Sequence, residues 1–382
     1  CRVVEPQRRA CLVGDASTGF AQDQIPRGNV PFPSRKNGQH AIIASKIMRA
    51  RQRGAKLIVI DPRRIPLTEY ADLFLQVKPG TNVALSNGLI CILIEKGLID
   101  ETFIRERTEG FEELREKVKE YPPDRVSKIT GIGPELLEKA AVIYGRAERA
   151  MILYAMGVTQ HTTGTDNVMS VANLAMATGN IGRPSTGVNP LRGQNNVQGA
   201  CDMGALPNVL TGYKSVSDLE AKTLYEKKWG LSLPDKPGLT LIEMIESARK
   251  GDLRGMLVVG ENPVLSDPDT THLKEALQRL DLLVVQDIFL TETAKLAHVI
   301  LPATTFAEKE GTFTNTDRRV QRVRKAIEPL GESKPDWQII SGLAKEIGAQ
   351  GFDFDSPKEI MREIASLTAS YAGITYERLD RG

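Results

Sequence analysis

Apolar residues recur along the chain in two alternating patterns, one typical of helices and one typical of short buried strands. Three isoleucines and Met48 mark one face of a helix over residues 41–53, and the apolar run at residues 56–60 follows as a strand. The succession repeats, with strands predicted at residues 71–77, 150–156, 255–259, 282–285 and 299–301 and helices at residues 83–96, 101–121, 133–149, 167–178, 240–250, 271–280 and 337–347. This repetition predicts an α/β fold with mainly parallel sheets and helices on both faces.

The strand and helix units fall into two groups on either side of a polar stretch at residues 189–204. We therefore predict two doubly wound, Rossmann-like lobes, a first at residues 40–193 and a second at residues 194–382. Residues 1–39 contain four prolines and no sustained apolar period, so we predict an irregular segment there. Residues 210–238 are expected to be looser than the rest of the second lobe. Neither lobe carries a glycine-rich dinucleotide fingerprint after its first strand or a P-loop.

The polar stretch between the lobes is rich in amides and glycines and has neither apolar period. Arg192 offers a planar fork suited to a carboxylate or a phosphate. Four side-chain amides offer both donors and acceptors to a ligand rich in heteroatoms, those of Gln194, Asn195, Asn196 and Gln198. Because ligand sites concentrate where domains meet, the stretch predicts a polar ligand site.

Several predicted strands end in polar residues, where open α/β sheets bind ligands. Asp61 and Arg63 follow the strand at residues 56–60 and are candidates for ribose, base or phosphate contacts. A solvated turn with a surface ion pair explains the same two residues. Gly80 and Thr81 precede a helix whose start either receives an anion or is simply well capped.

Composition and charge narrow the class of protein. The 382 residues are 41% hydrophobic and 26% charged, with a net charge of +2. The sequence has no basic stripe with interleaved aromatic residues, so it does not predict nucleic-acid binding. No apolar run approaches the ~20 residues of a membrane span. The four cysteines show no CxxC spacing, which argues against a zinc site or an iron–sulfur cluster held by this chain alone. They favour a reduced, cytoplasmic setting.

Five segments together resemble one family. Residues 154–160, 178–182, 190–204, 286–289 and 310–315 are similar to segments of the catalytic (alpha) subunit of molybdopterin-dependent formate dehydrogenases, within the molybdopterin oxidoreductase family. The resemblance covers residues 40–382. It implies formate oxidation to carbon dioxide at molybdenum or tungsten held by two molybdopterin guanine dinucleotides. It also implies electron-transfer partner subunits of the iron–sulfur or flavin/NAD type, with formate as the substrate.

The resemblance further implies roles for individual residues. Arg192 corresponds to the arginine that orients formate beside the metal, and the chemistry itself is the cofactor's. The implied cofactor-binding residues are Asp61, Arg63, Gly80 and Asn82 for one nucleotide, Met156, Gly157, Gln160, Gly193 and Gln194 around the pterin, and Gly260, Glu261, Asn262, Gln286, Asp287 and Thr291 for the distal nucleotide.

Two features of the family have no counterpart in this sequence. The N-terminal cysteine cluster of a [4Fe–4S] centre is missing, and no cysteine is followed by the histidine that accompanies the family's metal ligand. We therefore expect no metal ligand in this chain, an incomplete catalytic subunit, and an iron–sulfur cluster only in full-length members. A non-catalytic cofactor-binding or assembly module and a nitrate reductase-like enzyme remain as alternatives.

Overall fold

A five-stranded sheet and a three-stranded sheet, both parallel, organise the computed structural model of the chain, which describes residues 9–14 and 41–381. The chain divides into two units, of which the first ends at Gly193 and the second begins at Gln194. The predicted α/β class with mainly parallel sheets is confirmed. Among the described residues, no helix is long and apolar enough to cross a membrane.

The strands of the first unit are β1 (Arg9–Gly14), β2 (Lys56–Ile60), β3 (Leu73–Leu75), β4 (Arg149–Tyr154) and β5 (Gly187–Pro190). They lie in the order β3-β2-β1-β4-β5. The central strand β1 pairs with β2 from Ala10 opposite Lys56, and with β4 from Arg9 opposite Arg149. The strand order reverses between β1 and β4, and open α/β sheets bind ligands outside the carboxyl ends at such a reversal.

Strand β1 lies inside the segment that the sequence predicted to be irregular. That prediction is wrong for Arg9–Gly14, which supplies the middle strand of the sheet. The remainder of residues 1–39 lies outside the described residues. A central parallel strand needs only a short apolar run and no alternation, and the four residues at positions 10–13 are such a run. Arginines and prolines lie on either side of this run, so the sequence shows no longer apolar period there.

Helices cover both faces of the first sheet. They are α1 (Ala41–Gln52), α2 (Asn82–Glu95), α3 (Glu101–Arg107), α4 (Phe111–Val118), α5 (Pro123–Thr130), α6 (Pro134–Gly145), α7 (Met156–Thr159) and α8 (Gly164–Ala177). Successive strand residues point to opposite faces. Ile58 therefore joins the larger core cluster with residues of α2, α5, α6 and α8, whereas Leu57 and Val59 pack in a second cluster with Ile47 of α1.

The second unit contains two small hairpins in addition to its parallel sheet. Its strands are β6 (Val209–Leu210), β7 (Lys214–Ser215), β8 (Gly255–Val259), β9 (Leu282–Asp287), β10 (Val299–Pro302), β11 (Gly311–Thr314) and β12 (Val320–Val323). Its helices are α9 (Val197–Asp202), α10 (Leu219–Trp229), α11 (Leu241–Lys250), α12 (Pro263–Ser266), α13 (Thr270–Gln278), α14 (Asp336–Glu346), α15 (Pro357–Leu367) and α16 (Tyr376–Leu379). Strands β8, β9 and β10 form the parallel sheet, with β9 in the middle.

One face of the second sheet is packed and the other is open. Val258, Leu283 and Val285 are buried in a cluster with residues of α11 and α13. On the opposite face Leu257 and Leu282 are each 48% exposed. An all-parallel sheet normally has both faces covered.

The region at residues 210–238, predicted to be looser, contains the eleven-residue helix α10. Asp218 begins this helix by accepting hydrogen bonds from the backbone amides of Glu220 and Ala221, both at 3.1 Å. The prediction missed it because its apolar residues are spread around the helix: Leu219 and Leu224 are exposed while Tyr225 is buried. A pattern search detects a helix by a single apolar face.

Candidate functional site

The parallel first sheet brings its candidate residues to one edge. Because all five strands run in the same direction, their carboxyl ends lie together. Asp61 and Arg63 follow β2, Gly80 and Asn82 follow β3, Met156, Gly157 and Gln160 follow β4, and Arg192 and Gly193 follow β5. Every candidate residue of the first unit is therefore in a segment that leaves the carboxyl edge of this sheet.

Asp61 is buried at the tip of β2, and its neighbour Arg63 is exposed. The Asp61 carboxylate accepts a hydrogen bond from the backbone N–H of Arg63 at 2.7 Å, which closes a tight turn. The solvated-turn interpretation therefore does not apply to the Asp61 carboxylate, although it still describes the Arg63 side chain. The turn holds Arg63 outside the sheet edge.

Helix α2 begins at Asn82, close to the strand edge. Gly80 adopts a positive φ of 79°, which glycine tolerates readily. Thr81 occupies the N-cap position, but its hydroxyl donates to the carbonyl of Lys78 at 2.7 Å instead of capping the helix. Of the two alternatives for this helix start, the well-capped one is therefore not met by the Thr81 side chain. The amides of the first helical turn receive no bond from the Thr81 side chain.

The segment after β4 folds at once into the short helix α7. Met156 and Gly157 are half-buried there, while the Gln160 side chain is exposed. His161 Nε2 lies 2.9 Å from the carbonyl oxygen of Gly157. This contact ties His161 to the backbone of α7, so His161 supports the tip of β4.

Arg192 directly follows the edge strand β5. The backbone N–H of Leu191 donates to the carbonyl of Tyr154 at 2.7 Å, so the arginine is fixed beside the end of β4. Its Nε is buried and has no hydrogen-bond partner among the described residues. Burial raises the pKa of Tyr154, and the positive charge of Arg192 opposes that rise. A buried guanidinium N–H without a partner is costly, and an anionic ligand would satisfy it.

The second sheet also carries its candidate residues at the carboxyl edge. Gly260, Glu261 and Asn262 follow β8, Asp287 ends β9, and Thr291 lies in the segment after it. The Asn262 amide donates to Glu292 at 2.7 Å and accepts from the Thr293 hydroxyl at 2.8 Å. Asn262 therefore joins the tip of β8 to the segment that follows β9. Gln194, which begins this unit, is exposed.

Gln286, near the end of β9, has one satisfied and one unsatisfied amide atom. Its Nε2 donates to Asp336 at 2.7 Å, while its buried Oε1 has no partner among the described residues. Thr304, just after β10, also has a buried polar atom without a partner among the described residues, its Oγ1. Sequence reasoning missed Thr304, although the strand-tip rule applied to Glu261 and Asp287 would have found it.

The described residues contain no group of three or more histidine, cysteine, aspartate or glutamate side chains that could hold a metal ion. Cys91 is buried in α2, and burial together with the nearby Glu95 raises the pKa of its thiol to about 11. Cys201 in α9 is half-buried. Any metal bound at these edges therefore needs donor atoms other than a side-chain cluster of the described residues.

Comparison with known proteins relates this arrangement to one family. The profile of the molybdopterin oxidoreductase family matches residues 37–346. Over 372 residues the chain is 56% identical to the F420-dependent formate dehydrogenase subunit alpha of Methanocaldococcus jannaschii, covering 97% of this chain and 55% of that relative. It is 42% identical over 370 residues to formate dehydrogenase H of Escherichia coli, covering 96% of this chain and 52% of that protein. The chain thus spans about half the length of these relatives.

A solved structure agrees with this relationship at the level of the fold. Acetylene hydratase from Pelobacter acetylenicus superposes with a TM-score of 0.73 at 21% identity, covering 97% of this chain and 51% of that one. The family match includes the strand edges that carry Asp61, Arg192 and Asp287, since all three lie within residues 37–346. The chain belongs to the molybdopterin oxidoreductase family.

Proposed function

We propose that this chain is part of the catalytic subunit of a formate dehydrogenase, and that it oxidises formate to carbon dioxide at molybdenum or tungsten held by two molybdopterin guanine dinucleotides. Membership of the family implies a molybdopterin cofactor with one of these metals. The names of the similar proteins support formate as the substrate. The guanine dinucleotide form and the substrate belong to the proposal.

The side chains at the two strand edges fit such a cofactor. A dinucleotide presents anionic phosphates, ribose hydroxyls and a base edge, and it needs both donors and acceptors. The Gln286 Oε1 is an unused acceptor for the cofactor and the Thr304 hydroxyl can donate or accept, while the buried Arg192 Nε is an unused donor for the formate carboxylate. Each of these atoms belongs to a side chain at the carboxyl end of a strand, where the fold expects a ligand.

Each unit would hold one part of the cofactor pair. In the first unit one nucleotide would lie against the tips of β2 and β3, and the pterin would contact the segment after β4 and residues that follow Arg192. In the second unit the distal nucleotide would lie against the tips of β8, β9 and β10. The residues assigned to these contacts are Asp61, Arg63, Gly80, Asn82, Met156, Gly157, Gln160, Gly193, Gln194, Gly260, Glu261, Gln286, Asp287 and Thr291, with Asn262 holding the second tip in place.

Arg192 carries the proposal for formate. Oxidation of formate breaks its C–H bond and releases carbon dioxide, one proton and two electrons, and the metal centre supplies the electron acceptor when bound. Arg192 would bind the formate carboxylate through its planar fork and aim the C–H bond. The backbone bond from Leu191 to Tyr154 fixes the chain next to Arg192 before the substrate arrives, which lowers the entropic cost of orientation.

The electrons then have to leave the site. We propose that a partner subunit of the iron–sulfur or flavin/NAD type receives them, because the similar formate dehydrogenases are named as alpha subunits. We also propose a cytoplasmic location. The partner subunit rests on the family relationship, and the location rests on the four cysteines, which have no CxxC spacing.

The test is production of this chain under anaerobic conditions in a host that makes the guanine dinucleotide cofactor. We expect the purified chain to contain pterin and molybdenum or tungsten, and to reduce a viologen dye when formate is added. Replacing Arg192 by lysine keeps the charge but removes the fork, so we expect formate-dependent reduction to fall about a hundredfold with unchanged pterin content.

Arg183→Lys is the matched control, because Arg183 is exposed in the loop before β5. We expect it to retain full formate-dependent dye reduction. A folded chain without pterin would refute the cofactor proposal. A chain with pterin and metal but without turnover would contradict formate oxidation by this chain itself, and unchanged turnover in Arg192→Lys would contradict the role of the arginine.

A further inference from the structure

A buried carboxylate lies at the centre of a polar network in the second unit. Asp202, at the end of α9, is only 1% exposed. It accepts hydrogen bonds from Gln198 Nε2 at 2.9 Å, from an Arg318 guanidinium nitrogen at 2.8 Å and from the Tyr371 hydroxyl at 2.9 Å. These donors come from α9, from the turn between β11 and β12, and from the segment after α15. Asp202 therefore joins three segments that are far apart in the sequence.

Three residues of this network have left-handed backbone conformations. Among the described residues other than glycine, a positive φ occurs at Ser185, Asn196, Tyr213 and Arg318. The last three belong to the Asp202 network: Arg318 binds Asp202, the Tyr213 hydroxyl accepts from Gln198 at 3.3 Å, and Asn196 begins α9. Such conformations persist only where the surrounding contacts enforce them.

The side chain of Asn196 is held by the same network. Its Oδ1 accepts from the backbone N–H of Thr314 at 2.8 Å. The Thr314 hydroxyl lies 2.7 Å from the Tyr371 hydroxyl, which in turn donates to Asp202. This chain of bonds connects Asp202 to Asn196 through space, and α9 connects them through the backbone.

Gly199 leaves room for the Asn196 side chain beside α9. A Cβ at Gly199 would lie 2.2 Å from the Asn196 Oδ1 and 3.3 Å from the Thr314 hydroxyl. The absence of a side chain inside α9 is therefore explained by the Asn196 amide, which packs against the helix backbone.

We propose that Asp202 is a positioning residue, which holds Asn196 in its left-handed conformation and thereby fixes the exposed Gln194, two residues earlier in the chain, for contact with the pterin. The contact of Gln194 with the pterin rests on the proposed function, whereas the effect of Asp202 on the conformation of Asn196 does not. Arg318, Tyr371 and Thr314 act through Asp202 and Asn196. Breaking a buried network of this kind loosens the segment that it orders, since an uncompensated polar group remains behind.

The main test compares Asp202→Asn with Glu308→Gln in this chain. Glu308 is also a buried carboxylate of the second unit, and it accepts from the backbone amides of Thr305 and Leu330, both at 2.8 Å. Backbone hydrogen exchange is measured peptide by peptide, together with pterin released per chain. In Asp202→Asn we expect exchange over residues 194–203 to accelerate at least about tenfold, with a severalfold loss of bound pterin. Glu308→Gln should leave both quantities unchanged.

Tyr371→Phe tests the same network with a milder change, because it removes one hydroxyl and keeps the ring. Tyr376→Phe is its control, since both tyrosines are 5% exposed in one core cluster. We expect faster exchange over residues 194–203 in Tyr371→Phe alone, which decides the matter if Asp202→Asn does not fold.

Unchanged exchange over residues 194–203 in a folded Asp202→Asn chain would overturn the proposal, as would accelerated exchange with fully retained pterin. If the unmodified chain itself carries no pterin, the proposed function fails, and the exchange comparison still decides whether Asp202 holds Asn196.

Discussion

The two parallel sheets of this chain differ in how they are covered. In the first sheet consecutive residues of β2 are buried on opposite faces, with Leu57 against α1 and Ile58 against α2 and its neighbours. In the second sheet consecutive residues of β8 differ in burial, because Val258 is buried and Leu257 is 48% exposed. Among the residues that the structure describes, helices cover both faces of the first sheet and one face of the second.

In α/β proteins, a parallel sheet with polar strand tips usually also has both faces covered. In this chain the two features occur separately. Both sheets present polar strand tips at their carboxyl edges, so polar strand tips do not require two covered faces. The stability that each sheet derives from its own helices does differ, since burial on two faces removes about twice the apolar area per strand residue. Apolar side chains on an open face are a surface that another protein layer can cover.

The largest expected effect is in the first sheet. Leu57→Ala and Ile58→Ala should each cost about 2–5 kcal/mol, because each leaves a cavity in a fully buried cluster. Amide exchange in peptides from β2 measures this loss in the first unit, since both tryptophans, Trp229 and Trp337, lie in the second. A large cost for one substitution and a negligible cost for the other would contradict a sheet that is covered on both faces.

A smaller and unequal pair of effects is expected in the second sheet. Val258→Ala should cost about 2 kcal/mol, because two buried methyl groups are lost next to α11 and α13. Leu257→Ala should cost less than about 1 kcal/mol, because the leucine is already half-exposed. Tryptophan fluorescence during chemical denaturation reports on this unit. Equal losses for the two variants would show that the open face is covered in solution.

The length and the neighbours of each apolar run explain which parts of the fold the sequence predicted. The predicted bounds of β2, β8 and β9 agree with the observed bounds to within two residues, because each strand is a continuous apolar run that ends in a polar tip. Strand β1 was missed for the opposite reason, since its short apolar run stands alone among arginines and prolines. Pairing with β2 and β4 supplies the remaining information, and no local pattern contains it.

The candidate site was predictable to a similar extent. The rule that ligands bind beyond strand tips selected Asp61, Asp287 and the residues around them, and all of them lie at carboxyl edges. The sequence did not reveal that the Asn262 amide is engaged by Glu292 and Thr293. Nor did it reveal the Asp202 network, because residues 116 and 169 positions away contribute its donors. Contacts at such separations depend on tertiary packing.

The smallest expected effect compares two threonines at helix starts, one in each unit. Thr240 and Glu243 form a capping box at α11, in which Glu243 accepts from the Thr240 backbone N–H at 2.7 Å. Thr240→Ala should therefore destabilise the second unit by about 1 kcal/mol. Thr81 makes no such cap at α2, so Thr81→Ala should cost no more than about 0.5 kcal/mol in the first unit. The denaturation midpoint and the exchange of α2 amides measure the two losses.

The pH dependence of the Thr240 effect provides an internal check. The backbone and hydroxyl of Thr240 lower the pKa of Glu243 in the folded state. A lowered folded-state pKa means that the stabilisation is present above the unfolded value of about 4.3 and is lost as the pH falls through the folded value. The difference in stability between the original chain and Thr240→Ala should therefore be constant near neutral pH and shrink in acid. The Thr81→Ala difference should not change with pH, because the Thr81 hydroxyl binds the uncharged carbonyl of Lys78. A pH-independent Thr240→Ala difference would contradict the hydrogen bond that the Thr240 hydroxyl donates to the Glu243 carboxylate at 2.8 Å.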